Sequence, residues 1–451
     1  MLTIFSDIHV TDESTAINVA PEAFNILFDE IKDNAINKKA QEVRVILLGD
    51  IFDLVRTDYW LKLPRLERPW NGDLDHNTGM NSNPKVEKYY CEILTKILST
   101  PSGKSLIKML NSIKSDDIKV PVIINYVIGN HDRAFYNFPS LKKILKDQFT
   151  NVDSFEFLNS YYNSDYASLC RHGNEYDISN YGFELYNVLL DEAGKNKNTD
   201  LFNQEVYKVI TIGEVVTCEL MSGIIFRIKE RLHDYNFTKL LMDLNNVRPM
   251  LNVFSWLYWY SKDLKPEIKT AIMDSFKESL EAVIDSDLAK KWTKISPEIL
   301  FWKMDLIDIF ELIHSVIKNE NFDDVAKFIK IAQIINNTVE KLHLNKDYGI
   351  DGAKLEWNDK KYQEVQYVFF GHTHEARTDY FKGFIDSKVN MYINTGTYLP
   401  YIDQTEDKEG FAEAYQMTMA FVYNLNEDLS EGVIKVNPSM DIWNGLKRKV
   451  Y

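Results

Sequence analysis

Apolar residues along the chain fall into two kinds of run. Leu2 to Phe5, Val43 to Leu48 and Val120 to Ile128 are short, continuous stretches with the length and density of buried strands. Between them the apolar positions recur every three or four residues. Ala20 to Ile36 places Phe24, Leu27, Phe28 and Ile31 on one helical face. Val86 to Leu98 repeats that period, and Ser105 to Ile113 resumes it after a break at Pro101-Ser102-Gly103. Strands alternating with helices predict an α/β domain with a largely parallel region. Each strand run closes on polar residues, Ser6-Asp7, Gly49-Asp50 and Gly129-Asn130. In open α/β sheets, ligand sites form at such strand ends.

From about residue 181 to 345 the pattern changes. Phe202 to Tyr235, Pro266 to Ala289, Ser296 to Lys318 and Phe322 to His343 all carry helical spacing. In the second, Ile268, Ile272, Phe276 and Leu280 recur every four residues. Ser296-Pro297-Glu298 has the form of a helix start. The segment reads as an all-helical insertion. Trp256 to Tyr260 inside it reads as a buried aromatic cluster. Strand signals return after residue 346, at Val365 to Phe370, Met391 to Ile393 and Thr418 to Tyr423. The Asn-, Gly- and Pro-rich stretch from Arg65 to Pro84 reads as a surface excursion, and Lys447-Arg448-Lys449 as a solvated end. Three regions follow: 1–180 and 346–451 as two parts of one core, and 181–345 as an inserted cap.

Composition narrows the function classes. The 451 residues carry a formal net charge of -15, spread along the chain. That balance argues against general nucleic-acid binding and against docking on an anionic membrane. No apolar run has the length of a membrane span and no signal peptide is visible, so a cytoplasmic location is expected. Three cysteines, Cys91, Cys170 and Cys218, fit a reducing compartment and disfavour a cysteine-ligated metal.

The nine histidines are more informative. Five of them fall in a set of five short blocks that also bring carboxylates and amides: Asp7-Ile8-His9, Gly49-Asp50-Ile51-Phe52-Asp53, Gly129-Asn130-His131-Asp132, Arg171-His172-Gly173-Asn174 and Gly371-His372-Thr373-His374. Imidazoles, carboxylates and an amide converging at strand ends make an oxygen–nitrogen site for Mn, Fe, Zn or Ni. In four of the blocks a glycine permits the sharp turn from strand to loop.

These five blocks, in this order, resemble the signature of the calcineurin-like metallophosphoesterase superfamily, over residues 1–180 and 346–451. The resemblance implies an α/β fold of two packed sheets flanked by helices, here with the large helical insertion. It implies two divalent metal ions: one held by Asp7, His9 and His374, the other by Asn130, His172 and His372, with Asp50 bridging. A hydroxide shared by the metals would attack phosphorus in line. His131 would stabilise the transition state or protonate the leaving group, and Asp53 would orient His131. Asp132 would brace its loop. Arg133 and Arg56 are candidate phosphate contacts. Asn174 stands where many members carry His or Asp. The turn Asn394-Thr395-Gly396-Thr397 resembles the one closing the family's active-site face.

The expected function is therefore metal-dependent hydrolysis of a phosphate ester or anhydride. The substrate class is a small phosphodiester, nucleotide or sugar-nucleotide-like molecule. Leu54 and Asp132 differ from the protein-phosphatase branch. His131 differs from the sugar-nucleotide hydrolase branch, which tends to carry Arg there. A nuclease of the same superfamily and a non-catalytic scaffold on this fold are the alternatives. The chain keeps every ligand and the catalytic histidine, which scaffolds typically lose. The oligomeric state is left open.

Overall fold

The computed structural model describes residues 1–248, 252–261, 263–295, 307, 310–311, 347–362, 364–382, 389–429 and 435–450. It is a mixed α/β structure with two mixed sheets. The three apolar runs of the N-terminal third form strands β1 (Leu2–Phe5), β2 (Val43–Leu48) and β3 (Val122–Val127), paired in parallel. They are apolar throughout because both faces are buried. Leu2, Ile4, Ile46, Leu48 and Val127 turn one way, and Phe5, Val43, Val45, Leu47, Ile124 and Tyr126 turn the other. Strand β4 (Ser154–Leu158) extends this sheet on one side. On the other side stand β12 (Phe411–Tyr423), antiparallel to β1, then β11 (Tyr401–Gln404) and the two-residue β7 (Val247–Arg248). Strand β13 (Ser439–Val450) also pairs with β12, so the backbone of the basic tail lies in a strand.

The smaller sheet runs β5 (Tyr161–Asn163), β6 (Ser168–Cys170), β8 (Tyr367–Phe370), β10 (Asn390–Thr395), β9 (Ala376–Lys382). Cys170, Tyr367, Phe369, Met391 and Ile393 pack against the Leu2/Ile46 face of the large sheet. Its outer face, Leu169, Val368, Phe370 and Tyr392, is covered by Ala353 and Trp357 of the helix Tyr348–Asn358. The outer face of the large sheet is covered by the helices Ala23–Asn37, Lys85–Ser99 and Pro101–Ser112, through Leu27, Ile31, Ile93, Leu94 and Leu106. Burial of each such side chain is worth about 1.5–3 kcal/mol. The layers are thus helix, sheet, sheet, helix.

Several expectations need correcting. Pro101-Ser102-Gly103 does not break a helix; it is the first turn of one, with the Thr100 side chain accepting from Gly103 N. The segment after residue 181 is not all helical, because β7 lies in it and joins the edge of the large sheet. The Phe202 to Tyr235 pattern resolves into a short turn at Val206–Lys208, helical turns at Ile212–Val215, a π-helical stretch Val216–Ser222 and a helix Gly223–Leu232. This 27-residue run is long and apolar enough to cross a membrane, yet 83% of its apolar window is buried inside the protein. The expected helices Ser296 to Lys318 and Phe322 to His343 lie outside the described residues, apart from three positions. Trp256 and Leu257 are buried, and Trp256 stacks on Tyr260.

The Arg65 to Pro84 stretch is not a surface excursion. Trp70 is 1% exposed. Its Nε1 and Arg68 Nη1 both donate to Glu219, which the π-helical stretch buries completely. Gly72 N donates to Asp287, and Asp287 N to Asn71. Asn and Gly here supply turn geometry and hydrogen bonds to buried backbone, not exposure.

Arg133 is likewise spent on packing. Its Nε and Nη2 form a two-pronged pair with Glu214 at 2.6 and 3.1 Å. Nη1 donates to Asn137 Oδ1 and Lys208 O, and Nη2 also reaches Met80 Sδ. All five N–H groups are engaged, so none is left for phosphate. Glu214 also completes a capping box with Thr211. Glu214→Ala is therefore expected to lower stability by about 3–5 kcal/mol, because it strands a buried guanidinium. A shift of the urea midpoint smaller than that of an average surface substitution would contradict this.

Candidate metal centre

Every proposed ligand sits just past the C-terminal end of a strand. Asp7 and His9 follow β1, Asp50 follows β2, Asn130 follows β3, His172 follows β6, and His372 and His374 follow β8. The two sheets pack face to face with these strand ends on the same side, so five loops from two layers converge. Asp7, His9, Asp50, His372 and His374 all have φ between +49° and +68°. Non-glycine residues seldom accept that conformation, and such outliers cluster at functional sites. Three glycines make room. A Cβ on Gly49 would stand 2.4 Å from His172 Nδ1, one on Gly129 2.3 Å from Asp50 Oδ1, and one on Gly371 2.3 Å from Asp7 Oδ2. The demand at Gly129 and Gly371 is close approach rather than a left-handed turn.

Two donor sets result. In the first, His9 Nε2 and His374 Nε2 are 3.0 Å apart, and Asp7 Oδ1 is 3.7 and 3.5 Å from them. In the second, His172 Nε2 is 3.3 Å from Asp50 Oδ2 and 3.2 Å from Asn130 Oδ1, and His372 Nδ1 is 3.0 Å from Asn130 Oδ1. Donors held about 2.0–2.2 Å from one cation stand about 3.0–3.5 Å apart, so both sets fit a divalent ion. Asp50 Oδ2 is also 3.8 Å from His9 Nε2, which puts it between the sets. Asp7 Oδ1 is buried with no hydrogen-bond partner, an orphan that a cation would satisfy. The groupings Asp7–His9–His374 and Asp50–His172–His372 are each compact enough to hold an ion, as is His9–Asp50–His131.

The surrounding hydrogen bonds aim the donor atoms. His172 Nδ1 donates to Leu48 O at 2.8 Å, which turns Nε2 toward the other donors of the set. His9 Nδ1 donates to Asp53 Oδ2 at 2.9 Å with the same effect. His372 Nε2 donates to Asp177 Oδ2 at 3.0 Å, freeing Nδ1. Asn130 Nδ2 donates to Asn180 Oδ1, so its Oδ1 faces the histidines. His374 differs: its Nδ1 accepts from Arg248 Nη2 at 2.8 Å. Its proton is then on Nε2, where a cation would replace it.

Asp53 does more than expected. The same Oδ2 lies 2.9 Å from His131 Nδ1 and 3.2 Å from Arg56 Nε. It therefore orients a ligand and the proposed catalytic histidine together. Burial opposes its charge, yet His131, His9 and Arg56 hold its carboxyl well below the usual range. For Asp50, burial is again outweighed, by His172, His131 and His9. Burial also opposes protonation of His131 and His172, but the carboxylates win. Asp53 and Asp50 raise His131, and Asp50 lifts His172 to about 10. Burial and the Arg248 charge push His374 well down, so it is neutral. Asp132, raised to about 7 by burial and Asp50, accepts from Gly129 N, Ile51 N and Tyr126 and braces the loop.

The Asn394–Thr397 turn is structural. Asn394 Nδ2 donates to Gly371 O and Thr397 Oγ1 to Asp7 O. Asn174 donates to Asn180 O and touches no proposed ligand. The carboxylate that serves the second donor set is Asp177, which no motif marked. The only sequence signal was a carboxylate in the turn directly after His172. Removing it, as Asp177→Ala, is expected to weaken the second cation about 10–100-fold and leave the first unchanged. Calorimetric Mn titration of the metal-free protein checks this; equal weakening of both sites would refute the assignment. The second unmarked residue is Arg248, which β7 delivers to His374. In comparison with known proteins, no family model and no curated protein matches this chain.

Proposed function

We propose that the chain is a dinuclear-metal hydrolase of phosphate esters or anhydrides, built like the metallophosphoesterases that its five blocks resemble. In this reading residues 1–180 and 346–451 form the catalytic core, and 181–345 form a cap that reaches the site through Arg248. The observation that carries it is the pair of donor sets sharing Asp50 at the strand ends. When bound, two divalent cations supply Lewis acidity toward phosphoryl oxygens and lower the pKa of water.

The protein's own groups then have defined tasks. Asp7, His9 and His374 hold one cation and Asn130, His172 and His372 the other, with Asp50 common to both. Asp53 fixes the rings of His9 and His131. His131 has its Nδ1 at Asp53 and no protein partner at Nε2 among the described residues, and its side chain is 10% exposed. Asp53 and Asp50 favour its protonated form against burial, and Nε2 is the atom that would give a proton to a leaving oxygen. Asp132 keeps the loop bearing Asn130 and His131 in place.

Hydrolysis of p-nitrophenyl phosphate and bis-p-nitrophenyl phosphate tests the proposal. Turnover with Mn that EDTA abolishes and fresh Mn restores supports it. No turnover with Mn, Fe, Zn or Ni would favour the scaffold reading.

A further inference from the structure

Arg133 is committed to Glu214, but Arg56 has a different companion. Arg56 is 3% exposed, and its Nε and Nη1 have no hydrogen-bond partner. Its nearest carboxylate oxygen, Asp53 Oδ2 at 3.2 Å, is shared with His9 and His131. Its charge is felt at His131, at His374 and at Arg248. Arg248 has no carboxylate within ion-pair distance among the described residues. Its Nη1 is anchored on Asn245 O and Val247 O, at 3.0 and 2.9 Å, and Nη2 on His374. That leaves Nε–H and one Nη2–H, on a residue that is partly exposed. A guanidinium withdrawn from water at Arg56, beside a second one at Arg248 with no carboxylate of its own, is costly unless an anion joins them.

We propose that Arg56 and Arg248 form a cradle beside the Asp7–His9–His374 set that binds an anionic oxygen of the substrate, making phosphomonoesters or terminal phosphoryl groups preferred over phosphodiesters. The proposal rests on the phosphoesterase reading and deepens it. The selection follows from counting oxygens. A phosphodiester has two non-bridging oxygens, and cations held by the two donor sets would supply the positive charge that those oxygens need. A monoester has a third, and carries a second negative charge at neutral pH. Only that third oxygen, or a neighbouring phosphate, can meet the guanidinium hydrogens. A diester leaves them unmet.

The test uses the Mn-loaded protein and the variants Arg248→Met and Arg248→Lys, each checked by thermal melting. Two readouts are compared: calorimetric binding of inorganic phosphate against dimethyl phosphate, and kcat/KM for p-nitrophenyl phosphate against its bis ester. The native protein is expected to bind phosphate at least about tenfold tighter than dimethyl phosphate and to favour the monoester. Arg248→Met should lose about 10–100-fold more on phosphate and the monoester than on the diester, and any loss common to both reports the lost contact with His374. Arg248→Lys should recover part of the loss, because it keeps the charge without the planar fork. If Arg248→Met does not fold, the Lys variant carries the same comparison. Equal binding of both anions, or equal losses on both esters, would overturn the cradle. Phosphate binding that depends on Arg248, with neither ester hydrolysed, would keep the cradle and discard the hydrolase reading. Ester hydrolysis with phosphate binding and monoester turnover both indifferent to Arg248 would do the reverse.

Discussion

Asp50→Asn is expected to cost the protein at least one of the two proposed cations and essentially all of the proposed turnover. Among the described residues, Asp50 is the carboxylate within reach of both donor sets, 3.3 Å from His172 and 3.8 Å from His9. Its other oxygen takes the His131 backbone N–H at 2.8 Å, so it also positions the loop behind the second set. Loss of groups that merely orient a metal ligand costs about 10–100-fold in affinity. Loss of a shared carboxylate should exceed that, because each cation gives up a charged donor. The amide keeps the shape and one acceptor, so the fold should survive. Metal content after dialysis, by mass spectrometry, reads the effect. Two equivalents retained with turnover within about threefold would show that Asp50 is not a bridge.

His131→Ala should behave in the opposite way. Its ring is tied to Asp53 and contributes to neither of the two proposed donor sets, although it lies close to His9 and Asp50. Both cations should remain, and turnover should fall by about 10²–10⁴-fold, the usual worth of a general acid. The loss should be larger for a poor leaving group such as an alkyl phosphate than for p-nitrophenyl phosphate, whose leaving oxygen needs little help. Loss of metal would instead make His131 a ligand, as the compact His9–Asp50–His131 grouping would then imply. An unchanged rate on alkyl phosphates would remove it from the chemistry.

The two variants also show which parts of the site were legible in the sequence. Strand runs closing on polar residues located all five loops, because burial on both faces leaves an unbroken apolar signature that chemistry interrupts only at the strand end. Residues adjacent in sequence to a motif were less reliable. Arg133 lies two positions from His131, but the 3₁₀ turn Arg133–Tyr136 carries it to Glu214. Arg248 left no trace, since a two-residue strand shows no period and its place depends on pairing with residues about 150 positions later. Asp177 acts through a turn, where side-chain direction is set by local backbone rather than by any repeat. The Arg65 to Pro84 stretch misled because composition reports irregular backbone, not exposure. The π-helical stretch was hidden by burial on all sides, which removes the amphipathic contrast that periodicity needs. The backbone strain at five ligands is equally invisible in sequence, since Asp and His carry no mark of the conformation they will be held in.

The most direct measurement is a crystal structure of the Mn-loaded protein with an anomalous difference map. Two peaks about 3.5–4 Å apart, one among Asp7, His9 and His374 and one among Asn130, His172 and His372, with Asp50 touching both, are the predicted result. A map with no peak there, or a single ion held by neither set, would contradict the dinuclear centre.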